Sequence, residues 1–306
     1  MKRMTSVLAL TTAAILGLSA CGGGSDPLAS PSSSSTGGAS AGGGDVVIGS
    51  ADFPESELLA EIYAGALKAK GINATTKPRI GARELYLKAL EDGSIQAVPE
   101  YTGALGFFYD KNFKETDPEK VYTAVEGLLP DKFAMLDKSS AEDNDSIVVT
   151  KETADSKKLT SIGDLKSVAG DMTLGAPPEF QKRPQGIPGL KATYGVTFKS
   201  FRPLTGQALV QALKNGQVDA ANIFTTDPSI AENGFVSLED TEKLFGSQNI
   251  VPLVVKDKAD QFAAALNPVS KALTTEVISG LLKQTVIDKK DAKDVAAEFL
   301  KSQNLG

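Results

Sequence analysis

Histidine is absent from the chain, and cysteine occurs once, at Cys21. Without histidine there is no Ser/His/Asp or Cys/His catalysis and no His-ligated metal site. A single cysteine leaves no disulfide to form in an oxidising compartment. No GxGxxG, P-loop or EF-hand pattern stands in the right context. Neighbouring carboxylates such as Glu91/Asp92 and Glu142/Asp143 read as solvated turns rather than as acid/base pairs for sugar chemistry. The expectation is therefore no catalytic, metal or cofactor site, and a protein that is not an enzyme.

Long hydrophobic runs are also missing. The apolar stretch from Val7 to Leu18 follows Lys2 and Arg3, is too short to span a bilayer and ends in small residues, which is the pattern of a secretory signal over residues 1–20. Leu18-Ser19-Ala20-Cys21 resembles a bacterial lipobox, which implies that Cys21 is lipidated and becomes the first mature residue. Residues 21–44 are almost wholly Gly, Ser, Ala, Pro and Thr and cannot bury enough apolar surface to order themselves. They read as a tether with a reach of about 25 Å. The expected location is the outer face of the cytoplasmic membrane, held there by lipid.

Basic excess is lacking too. Of 32 basic residues, Lys2 and Arg3 leave with the signal, and 30 remain against 38 acidic ones. Basic residues are scattered, and no Arg/Lys stripe interleaves with aromatics. A net acidic chain of this kind repels phosphates, so nucleic acid is not an expected partner.

What the folded body does contain is an internal echo. Leu90–Gly103, LEDGSIQAVPEYTG, is answered at a constant offset of 123 residues by LKNGQVDAANIFTTD from Leu213. Each copy reads as a helix end, a Gly stop (Gly93, Gly216), a short strand (94–98, 217–221) and an aromatic just beyond it (Tyr101, Phe224). VVIGSADFPE from Val46 is likewise answered by MTLGAPPEF from Met172, a strand ending in Gly that runs into a Pro/Glu/Phe loop. Common helix-Gly-strand punctuation is the plainer account of the likeness.

Taken as a repeat, each half is a small α/β unit. Strand-end loops of two such units facing one another would form a shared cleft, where ligands of open α/β sheets lodge. The expected architecture is α/β and two-lobed, the geometry of a protein that closes on a small solute. Residues 45–147 and 251–306 would form lobe 1 and residues 148–250 lobe 2, with two crossing segments as a hinge.

GSADFPES, PEYTG, LGAPPEF and AANIFTTDP followed by LEDTEKLF together resemble the substrate-binding component of osmoprotectant ABC importers of the ProX/OpuCC type. The likeness runs through the whole of residues 45–306. It implies a type II periplasmic-binding fold with the ligand in the cleft, and a receptor for glycine betaine, choline or a related solute that delivers to a membrane permease with its ATPase. A quaternary ammonium has no proton to donate and is held by aromatic faces.

The resemblance places Tyr101 and Phe224 in such a cage, with Phe53 in the first loop. It sets Asp145 and Gln248 where further aromatics are usual, and Ser56 and Ala104 where donors are usual. The pocket is therefore expected to be more polar than the family norm, open to hydroxyl or amine groups. Arg183 and Arg83, at loop-to-helix junctions, are candidate clamps for a carboxylate. Asn222 and Thr225 flank Phe224, and Asp227 reads as a helix cap. A carboxylate at Asp145 would favour a cationic ligand. An enzyme on the same two-lobed fold and an interaction lipoprotein without a small ligand are the rival readings.

Overall fold

The computed structural model describes residues 46–306. The expected signal, Cys21 and the tether fall outside the described residues.

The first sheet is built from β1 (Val46–Ala51), β2 (Ala74–Gly81), β3 (Ala97–Tyr101), β4 (Phe133–Met135) and, much later in the chain, β10 (Ile250–Val255), in the order β2-β1-β3-β10-β4. The second comprises β5 (Ile147–Val149), β6 (Thr173–Ala176), β7 (Ser200–Pro203), β8 (Ala220–Asn222) and β9 (Val236–Leu238), in the order β7-β6-β8-β5-β9. The two orders superpose term by term. In each, three parallel strands are followed by an antiparallel strand that enters from a crossing segment, and a short outer strand closes that side.

Helices cover both faces of each sheet. The first sheet carries α1 (Pro54–Ala69), α2 (Arg83–Glu91), α3 (Thr102–Tyr109) and α4 (Pro118–Glu126). The second carries α5 (Lys151–Lys157), α6 (Ile187–Gly189), α7 (Gly206–Lys214) and α8 (Ser229–Glu232). The chain ends in α9 (Ala259–Ala272), α10 (Thr275–Leu282) and α11 (Ala292–Ser302). These last three pack with α1 into one core, which includes Leu58, Leu59, Ile62, Phe262, Leu266 and Phe299.

The start of α1 follows from its sequence: Pro54 is preset for a first turn, and Glu55 and Glu57 stand at its positive end. Its inward stripe is fully buried, and each such Leu or Ile contributes about 1.5–3 kcal/mol relative to exposure. On the opposite face of the sheet, α2, α3 and α4 close over Tyr86, Leu90, Leu105 and Val121.

Gly93 and Gly216 end the corresponding helices α2 and α7 with φ of +79° and +66°. Only glycine takes such angles without cost, which is why the same residue stops both copies. The strands after them begin later than the sequence pattern places them, at Ala97 rather than Ser94 and at Ala220 rather than Gln217.

Residues 136–146 and 239–249 connect the sheets, and they zip to one another. Asp143 N–H donates to Gln248 O at 3.1 Å, Ile250 N–H to Ala141 O at 3.1 Å, and Ser139 N–H to Ile250 O at 2.8 Å. Gly103 lets α3 approach this junction, because a Cβ there would lie 2.5 Å from the Ser247 carbonyl oxygen. Among the described residues no helix is long and apolar enough to cross a membrane.

Candidate functional site

A cavity of about 390 Å³ opens between the two sheets, at the ends of β1 and β3 on one side and of β6 and β8 on the other. The echo in the sequence becomes physical here. Pro54-Glu55 after β1 and Pro178-Glu179 after β6 both line the cavity, as do Tyr101 at the end of β3 and Phe224 after β8.

Three rings form its aromatic wall. Phe53 lies between the other two, with its centroid 5.9 Å from that of Tyr101 and 5.2 Å from that of Phe224, each pair tilted by just under 40°. Phe53 precedes α1 in an extended conformation, so its ring is set before the helix begins.

Beside the rings lies a buried carboxyl pair. Tyr101 Oη donates to Glu55 Oε1 at 2.8 Å, and Thr226 Oγ1 lies 2.6 Å from Glu55 Oε2 and 2.7 Å from Asp143 Oδ1. A hydroxyl carries one proton. For both of its contacts to be hydrogen bonds, one carboxyl must hold a proton. Burial, opposed by the hydrogen bonds from Thr226 and Tyr101, pushes Glu55 up to about 7. Burial and the neighbouring Glu55 raise Asp143 well above the usual carboxylate range. Burial and the Glu55 charge likewise keep Tyr101 in its phenol form.

Asp145 is held differently. Its oxygens accept from the Asn222 side-chain amide at 3.0 Å and the Gln248 amide at 3.2 Å, so amides fix it rather than a cation. The arginines are already engaged. Arg83 forks onto Glu100 at 2.9 and 3.1 Å, and Glu100 also accepts from Tyr86 Oη at 2.7 Å and Tyr101 N–H at 2.9 Å. Arg183 lies 3.8 Å from both Glu84 and Glu179. Acidic side chains in the lining outnumber arginines six to two.

Of the residues singled out from sequence, Phe53, Tyr101, Ala104, Asp145, Arg183, Asn222, Phe224 and Gln248 line this cavity. Ser56 and Thr225 do not. Ser56 is fully buried and accepts from Ala51 N–H at 2.9 Å, tying α1 to the end of β1. Thr225 is exposed and braces the crossing segment through Asn144 N–H at 3.0 Å. In both cases the adjacent residue faces inward: Glu55 beside Ser56, Thr226 beside Thr225. Asp143, expected on a solvated turn, is 1% exposed. Asp227 accepts from Ser229 N–H at 2.8 Å at the start of α8 and also lines the cavity. The repeat held the signal for Glu55, since Pro54-Glu55 and Pro178-Glu179 are its matching loops; nothing in the sequence marks Asp143.

Residues 44–302 match the family model described as the substrate-binding domain of the ABC-type glycine betaine transport system. The chain belongs to this family. Among its relatives, glycine betaine-binding protein YehZ of Escherichia coli is 28% identical over 275 residues, covering 84% of this chain and 90% of the relative. Carnitine transport binding protein OpuCC of Listeria monocytogenes is 24% identical, covering 84% and 86%.

Solved structures agree on the fold. A glycine betaine/carnitine/choline ABC transporter structure superposes with a TM-score of 0.68 at 22% identity, covering 85% of this chain and 99% of the other. Apo YehZ from E. coli gives 0.61 at 26%, covering 86% and 100%. The α/β fold of two lobes and two crossing segments is thus that of the type II periplasmic-binding proteins. In this substrate-binding domain the cavity occupies the cleft between the lobes.

Proposed function

We propose that this chain is the extracytoplasmic receptor of an ABC importer and takes a small quaternary ammonium osmoprotectant, such as glycine betaine or choline, into the cleft. The observation that carries the reading is the wall of Phe53, Tyr101 and Phe224 on one cavity. An onium group has no proton to donate, and ring faces attract it at about 0.5–2 kcal/mol each, more when water is excluded. The relatives' names point the same way, since they are glycine betaine and carnitine binding proteins. The crossing segments supply the hinge by which the two lobes close on the ligand and open toward a permease with its ATPase.

Lipidation at Cys21 would keep the receptor on the outer face of the cytoplasmic membrane, with residues 22–44 as its tether. Mass spectrometry of the mature N-terminus tests the anchor, and C21A should release the protein into the medium. Titration calorimetry of the folded body against glycine betaine, choline, carnitine, proline betaine and polyols tests the ligand. Saturable heat with a quaternary ammonium is expected, and no heat with any of these would remove the osmoprotectant reading.

A further inference from the structure

The cleft has rings for an onium head, and what faces the rest of the ligand is one-sided. Asp145 presents a carboxylate fixed by two neutral amides. Both arginines of the lining already face carboxylates: Arg83 is committed through two nitrogens to Glu100, and Arg183 lies 3.8 Å from both Glu84 and Glu179. Glu55 and Asp143 add further acid even when one proton lies between them.

Glycine betaine would bring a carboxylate into this acidic cleft, whose lining holds six acidic side chains and two arginines.

Resting on the quaternary-ammonium reading above, we infer that the cleft selects a net cation that bears no carboxylate, with Asp145 as the residue that sets the preference. Choline and glycine betaine carry the same trimethylammonium head, so the ratio of their affinities isolates the other end of the ligand. The carboxylate of betaine finds no unpaired cation and repels Asp145.

Calorimetry with the folded chain is expected to show choline binding at least about tenfold tighter than glycine betaine, a gap of the size that a desolvated charge contact produces. It should also bind far tighter than 3,3-dimethylbutanol, the uncharged carbon analogue. D145N, confirmed as folded by its thermal transition, is expected to bring the choline-to-betaine ratio toward unity. If D145N does not fold, the comparison of choline with the carbon analogue on the unaltered chain still decides whether charge is read. Equal affinities, or tighter betaine, would overturn the inference and leave the quaternary-ammonium reading standing. Heat from neither would overturn both. An unchanged ratio in a folded D145N would remove Asp145 as the determinant.

Discussion

Thr226, in the loop after β8, touches Glu55, in the first turn of α1, at 2.6 Å across the cleft between the lobes. The same hydroxyl reaches Asp143 on the crossing segment at 2.7 Å, so one side chain ties both lobes and the hinge together. T226V keeps the shape and removes the hydroxyl, leaving two buried carboxyls short of a partner. A loss of about 1–3 kcal/mol in urea unfolding is expected, with T226S close to the parent. Equal stability of T226V and the parent would show that the contact does not bridge the lobes in solution.

The same cluster predicts a pH dependence. Burial raises Glu55 to about 7, so between its ordinary range and that value the folded chain holds a proton that the unfolded chain has released. A raised carboxyl therefore contributes stability at the acid end that is lost as pH climbs through about 7. Asp227 faces the group and reinforces this direction by repulsion, while the hydrogen bond between Glu55 and Asp143 opposes it, and Glu55 in turn raises Asp143. Thermal midpoints measured from pH 5 to 8 should fall more steeply for the parent than for E55Q, and parallel curves would contradict the shift.

Arg83 and Glu100 form a buried pair with every Glu100 oxygen occupied. E100Q leaves the guanidinium without its counter-charge, and an expected cost of about 3–5 kcal/mol should appear in the denaturation midpoint. Y86F removes one neutral donor to that carboxylate and should cost less, about 1.5–3 kcal/mol. A mild E100Q would mean that water reaches Arg83.

G93A and G216A test the repeat directly. Nothing lies within 4 Å of a Cβ at either position, so any penalty is backbone strain alone. With φ near +79° and +66°, both are expected to lose about 1–2 kcal/mol, and by similar amounts.

Much of this was legible in the sequence, for a physical reason. A helix stop that needs positive φ calls for glycine, so Gly93 and Gly216 mark corresponding points of two halves, and the rings of Tyr101 and Phe224 follow at the same distance. Two of the residues that were missed, Glu55 and Thr226, lie one position away from those chosen. On a helix one residue is a turn of about 100°, enough to swing Ser56 to the core and Glu55 to the cleft. In the loop after β8 the chain likewise alternates Thr225 outward and Thr226 inward. Composition near the chain's AEDND run suggested a solvated turn at Asp143. Its burial is decided by the crossing segment and Thr226, partners far away in sequence.

The most direct measurement is a crystal structure of residues 45–306 grown with choline. The account places the quaternary nitrogen in the cleft within about 6 Å of the ring centroids of Phe53, Tyr101 and Phe224. Choline seated elsewhere, or a cleft left empty at saturating ligand, would contradict it.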